Sequence, residues 1–295
     1  MRAFLQKFVL FLLFGALIMT ASFGVTDMLI NKPDNFIINP KYTTLIIGHS
    51  HPECSMNDSI IRHSLNLAQS GESYFYSFIK LKKLLESNPN IKRVLVEFTN
   101  NCITQEMDTW TYANKYLLYR YPKYSAMMNW DANAELFLHN PKGVINAQSL
   151  AIKTKLKYLL THQDNFVKEA DWGKYEGLNH TLTSEDSLKA TASYDSMTVT
   201  GISEVNLRFL KKITELCKHQ NVDIILIRSP QNPSYPLYQN EAVFLDILNK
   251  RLPGIKFLDY HNLPIPPDEF ADLEHLNAKG SARFSMALDS VLNSN

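Results

Sequence analysis

The chain has 295 residues, 45% of them hydrophobic, which is enough apolar side chain to close one large core or two modest ones and too much for a disordered protein. Thirty basic residues against 29 acidic ones leave a formal charge of +1 without any lysine- or arginine-rich run, so no nucleic-acid surface built on charge is expected. Three cysteines, Cys54, Cys102 and Cys217, are too few for a disulfide framework.

Residues 1–7 contain Arg2 and Lys7 and read as a short cytoplasmic tail. Residues 8–26, "FVLFLLFGALIMTASFGVT", are uncharged. As a helix this stretch would rise about 28 Å, close to the hydrocarbon thickness of a bilayer. A retained transmembrane anchor is the preferred reading. A cleaved signal segment is the alternative, since Thr20-Ala21-Ser22 offers small residues for cleavage. Under both, the basic end stays inside and everything after Asp27 is exported, to the periplasm in a bacterial cell. The loop-like "NKPDNF" then leads into one domain over residues 36–295.

From there short apolar strands alternate with amphipathic helices, the pattern of a doubly wound α/β sheet. Five strands are expected, at residues 44–47, 64–68, 93–98, 223–227 and 255–259. Between the second and third, "YFYSFIKLKKLLESNPN" places Phe75, Phe78, Leu81, Leu84 and Leu85 at helical spacing before Asn88-Pro89 stops it. Before the fourth, Val205, Phe209, Ile213 and Leu216 form a stripe behind a Ser203 cap, with Cys217 beside it as core packing. Residues 103–201 interrupt this alternation, first dense in aromatics and later polar. Inserted after a strand's carboxyl end, they are expected to form a cap over the site.

The stretch "TTLIIGHSHPECSMND" ends an apolar strand in Gly48 and sets His49 and His51 around Ser50. Open α/β sheets place their sites at such carboxyl ends. The second strand runs into a loop with Gly71, whose missing Cβ lets a backbone amide approach a ligand. The third runs into Asn100 and Asn101, and near the carboxyl terminus Asp272 and His275 stand three residues apart, within reach of each other on one turn. His49, His51, Glu53 and Cys54 have the residue types of a metal cluster but lack a second ligand group, so no metal is expected. His49 and His51 are instead expected to shape the loop or contact substrate. Arg228, ending the fourth strand, suits either an anionic substrate group or a neighbouring carboxylate.

In this order the residues resemble the SGNH hydrolase superfamily, the GDSL-type esterases and lipases, across nearly the whole exported chain except the insertion. The first block, Gly-Asp-Ser, is matched by Gly48-His49-Ser50, with histidine replacing aspartate. The second-block glycine is Gly71. The third block aligns as Thr99-Asn100-Asn101-Cys102, without its glycine and aspartate, with Asn101 the better match and Asn100 the second choice. The fifth block is intact as Asp272-Leu273-Glu274-His275, and Leu276-Asn277 and Gly280 resemble the membrane-anchored members that act on cell-envelope polymers.

The resemblance implies a flavodoxin-like three-layer sandwich with a five-stranded parallel sheet behind an N-terminal transmembrane helix. It implies Ser50 as nucleophile, His275 as base and Asp272 as its orienting acid, without a cofactor. The Ser50 and Gly71 amides with the Asn101 side chain would form the oxyanion hole. The expected substrate is an ester, an O-acyl group on envelope carbohydrate. An O-acyltransferase on the same scaffold, or a silent carbohydrate-binding or assembly protein, is the alternative.

Overall fold

The computed structural model describes residues 1–161, 172–183, 201–235 and 240–294. Its strands are β1 (Thr44–Ile47), β2 (Ser64–Asn66), β3 (Arg93–Glu97), β4 (Asp223–Arg228) and β5 (Lys256–Asp259). Up to the insertion the helices are α1 (Arg2–Ile30), α2 (Ser50–Ser55), α3 (Tyr74–Ser87) and α4 (Glu106–Tyr112). Then follow α5 (Asn114–Tyr124), α6 (Trp130–His139), α7 (Pro141–Leu160), α8 (Glu204–His219), α9 (Glu241–Arg251) and α10 (Ala278–Leu292).

All five expected strands form, within two residues of the predicted bounds, and pair in parallel in the order β2-β1-β3-β4-β5. This is the flavodoxin-like order, in which the direction of winding reverses between β1 and β3 and leaves a crevice at their carboxyl ends. Alternation along the strands feeds two layers. Ile46, Leu95, Ile225 and Ile227 join Phe284 and Leu288 of α10 in one core. On another layer Phe75 of α3 meets Phe209 of α8 edge-on, ring centroids 4.9 Å apart. Ser203 caps α8 by accepting from the Asn206 N–H at 2.9 Å, and Cys217 is fully buried in the core, both as expected.

The chain divides into two compact units. Residues Ile38–Thr111 and Asp171–Asn295 make the sheet unit, while Met1–Ile37 and Tyr112–Ala170 make the other. The range expected to form a cap, 103–201, contributes to both units. Residues 103–111 and 172–183 belong with the sheet and 112–161 with the N-terminal helix, while 162–171 and 184–200 lie outside the described residues.

Within the helical unit, Lys155 of α7 is buried and pairs with Asp27 of α1, and Phe23 stacks on Tyr121. Tyr121 and Tyr124 are buried there as ordinary core material. The amino-terminal part of α1 exposes Phe8, Leu10, Phe11, Leu13, Phe14 and Leu17. Among the described residues α1 is the one helix long and apolar enough to cross a membrane.

Candidate active site

Ser50 sits directly past β1, and the backbone there admits only glycine before it. Gly48 has φ +148°, and a Cβ on it would lie 2.6 Å from Glu97 Cβ and 2.8 Å from Pro52 Cγ. The chain then turns into α2, whose first residue is Ser50. Pro52 is tolerated in that first turn because its missing N–H would have no intrahelical acceptor. The far end of α2 is tied to β2, since Asn66 Nδ2 donates to the carbonyls of Pro52 and Met56 at 2.8 and 2.7 Å. The short helix is thus pinned at both ends beneath the nucleophile candidate.

His275 Nε2 lies 2.7 Å from Ser50 Oγ, and its Nδ1 lies 2.9 Å from Asp272 Oδ2. The three residues expected to act together therefore form one hydrogen-bonded chain. Burial alone would raise the Asp272 carboxyl, but the hydrogen bond and charge of His275, with the backbone N–H groups of Glu274 and His275, hold it below the usual range. Those N–H groups donate to Oδ1 at 2.7 Å each and close the Asp-x-x-His turn. Below the turn Leu276 is fully buried, and Asn277 caps α10 by accepting from Lys279 and Gly280 at 3.0 and 3.2 Å. These contacts account for the Leu-Asn and the glycine that follow the histidine in sequence.

The expected oxyanion donors sit at three adjacent strand ends. As first residue of α2, Ser50 has a backbone N–H without an intrahelical acceptor. Gly71, φ +65°, is the third residue of a turn closed by the Glu72 N–H on the Gln69 carbonyl at 3.0 Å. Glu53 holds that turn from α2, accepting from the Ser70 N–H at 2.8 Å and from the Ser70 hydroxyl. Asn101 turns its oxygen inward, where Thr99 Oγ1 donates to it and His49 Nε2 lies at 3.1 Å, while its Nδ2 has no partner among the described residues. Asn100 is occupied otherwise, since its Nδ2 donates to Asn240 and Glu241 at 2.8 and 2.9 Å. Of the two asparagines, Asn101 has the free donor.

For Arg228, His49 and His51, each of which has two readings in sequence, the contacts found are with neighbouring carboxylates. Arg228 is fully buried and spends its guanidinium on Glu241, with NH1–Oε1 2.9 Å and NH2–Oε2 2.7 Å, so it serves the neighbouring carboxylate. His49 and His51 are each 2% exposed and lie beneath the serine. Both turn toward Glu97, a fully buried carboxylate at the end of β3, whose only signal in sequence is a charged residue closing an apolar strand. His49 also brings its ring within 5.4 Å of Trp110, which is half-buried at the rim.

Among the described residues two groups bring metal-type donor atoms together, His49 with Glu97 and Cys102, and His51 with Glu274 and His275. In the first, His49 Nε2 already lies 3.1 Å from Glu97 and 3.4 Å from Cys102 Sγ, whose thiol burial pushes up to about 12. That donor set has the chemistry of an internal hydrogen-bond network. The cluster considered in sequence, His49, His51, Glu53 and Cys54, does not assemble, because Glu53 is committed to Ser70.

The residues 172–183 run along this unit. Lys174 N–H donates to the Ala68 carbonyl at 3.2 Å, Glu176 N–H to Glu53 at 2.8 Å and Leu182 N–H to Phe270 at 2.8 Å. They therefore link the β2 end, α2 and the segment before Asp272.

A comparison with curated proteins gave no match to this chain. A model of an uncharacterised family matches residues 197–295, the stretch that holds α8, β4, β5 and the Asp272–His275 turn.

Proposed function

We propose that the chain is an exported, membrane-anchored serine esterase of SGNH type that removes an O-acyl group, from envelope carbohydrate in the reading favoured by the resemblance. The observation that carries this is the continuous chain Ser50 Oγ to His275 to Asp272, at 2.7 and 2.9 Å.

In the proposed reaction Ser50 Oγ attacks the acyl carbon as its proton passes to His275 Nε2. Asp272 stays ionised, fixing the imidazole with Nε2 as acceptor. The tetrahedral oxyanion takes the N–H groups of Ser50 and Gly71 and the Asn101 amide. Collapse breaks the bond to the sugar oxygen, which leaves with the proton from His275. Water then attacks the acyl-serine, giving its proton to His275, and the carboxylic acid departs with Ser50 restored. Trp110 at the rim offers an aromatic face of the kind that stacks on sugar rings.

Two measurements test this reading. A serine-directed fluorophosphonate labels the protein, with the adduct mapped to Ser50, and labelling disappears in His275→Ala; an unmodified Ser50 in folded protein rejects the nucleophile. A reporter that works only outside the cytoplasm is active when fused after Asp27, as the exposed apolar length of α1 supports. Activity only from a cytoplasmic reporter overturns the localisation. Binding of an acylated polymer without turnover in the wild type points instead to a silent binding protein.

A further inference from the structure

His275 is fixed by its own turn, but the nucleophile loop needs a separate anchor, because block one has lost its aspartate. That anchor comes from the neighbouring strand. Glu97 is 0% exposed, and a carboxylate so buried persists only when paired and hydrogen-bonded. Its Oε2 accepts the His49 backbone N–H at 2.8 Å. Its Oε1 lies 2.8 Å from His51 Nδ1, 3.1 Å from His49 Nε2 and 3.3 Å from Thr99 Oγ1, whose one proton goes to Asn101 Oδ1. On one side of Ser50 the His49 backbone is thus hydrogen-bonded to this side chain, and on the other the His51 ring is in ionic contact with it, its Nδ1 having no other partner among the described residues.

We propose that Glu97 is the positioning residue of the nucleophile, a single carboxylate that clamps His49 and His51 so that Ser50 Oγ is held at His275. The proposal rests on Ser50 being the nucleophile and assigns what holds it there.

The two histidines play unlike parts in the clamp. Burial pushes His49 down to about 4, so it is a neutral donor to Glu97 and Asn101. Burial would depress His51 as well, but the charge of Glu97 and the contacts with Glu274 outweigh it and raise the ring to about 9. Around His51 stand Glu97 from β3, Glu274 with Oε2 3.6 Å from Nε2, His275 with its ring 5.4 Å away, and His49 at 4.8 Å. From the loop after β4 the Gln231 amide lies 3.3 Å from Nε2, and turning that amide gives its buried, unpaired oxygen the N–H of the imidazolium. The clamp is accordingly an ion pair. Since the folded His51 holds its proton above the ordinary imidazole value, the pair is complete below about pH 6.5, and it is lost as the pH rises through about 9.

The test is Glu97→Gln, which keeps the shape and removes the charge. In histidine-labelled Ser50→Ala protein, the His51 ring titrates near 9 by NMR, and adding Glu97→Gln lowers that midpoint by at least about one unit. In catalytically intact protein, Glu97→Gln lowers kcat on an acetyl ester by about a hundredfold with KM nearly unchanged, and moves the alkaline limb of the pH–rate profile down in step with the His51 midpoint. A kcat within about threefold of wild type in Glu97→Gln, with wild-type Ser50 still labelled by fluorophosphonate, overturns the clamp alone. Absence of that label in wild type overturns the nucleophile first, and the proposal falls with it. Where Glu97→Gln does not fold, His51→Gln removes one arm and leaves the His49 bond; it loses the alkaline limb and most of kcat, and wild-type kinetics there overturn the proposal.

Discussion

Ser50→Ala and His275→Ala each remove nearly all ester turnover, and the double variant is scarcely slower than either. The geometry requires this non-additivity, because Ser50 Oγ and His275 Nε2 share one proton across 2.7 Å. A base has no work without its serine, and the serine is a weak nucleophile without an acceptor. Removal of either member of such a unit costs roughly 10⁶ in kcat, about as much as removing all of it. Asp272→Asn costs less, about 10⁴, because it leaves the turn in place but offers His275 Nδ1 the wrong partner. The measurement is single-turnover acyl transfer by purified protein, with thermal melts to show that each variant is folded. Full turnover in Ser50→Ala excludes the mechanism, and single losses that multiply in the double variant would show that the two residues do not act as a unit.

The strands were legible because a parallel sheet covered on both faces demands continuous apolar runs, and few stretches here supply them. The difference at β2 is small and has a cause. Predicted to Ala68, it ends at Asn66, because Asn66 Oδ1 takes the Ala68 N–H at 2.8 Å, while Leu67 and Gln69 still donate to the carbonyls of Ile46 in β1 and of Gly48 just past it. Division of the insertion was not legible. What gathers residues 112–161 with α1 is a set of contacts such as Lys155 with Asp27, whose partners are 128 residues apart and carry no local period.

The same limit governed the site. Ser50, Asp272 and His275 could be named because each lies in a short motif with its own chemistry. Glu97 could not, since a single carboxylate closing an apolar strand signals nothing until the loop 48 residues earlier is folded against it. His49 and His51 looked like substrate contacts for the same reason: a histidine beside a serine is read as facing the cleft unless a buried partner is visible. Arg228 had two open readings in sequence, and only the position of Glu241 on α9 decides between them.

Asn101→Ala lowers kcat on an acetyl ester by about a hundredfold or more, the loss expected when one preorganised oxyanion donor is removed. Its Nδ2 has no partner among the described residues, while its oxygen is fixed by the Thr99 hydroxyl and by His49. The amide therefore cannot swing its donor inward without breaking both bonds, which leaves the donor free for a ligand. Truncation also frees His49 Nε2 of one neighbour, but Glu97 remains 3.1 Å from it, so the histidine keeps a partner and the loop keeps its shape. Asn101→Asp separates the two effects: it preserves the acceptor for Thr99 and His49 but places a second oxygen where the donor stood, and it loses at least as much turnover as alanine. Asn100→Ala behaves differently. It breaks the bonds to Asn240 and Glu241 and lowers the melting temperature through α9, while kcat stays close to wild type. Should Asn100→Ala abolish turnover in stable protein and Asn101→Ala leave it intact, the oxyanion donor is Asn100 and the third block is aligned one residue too late.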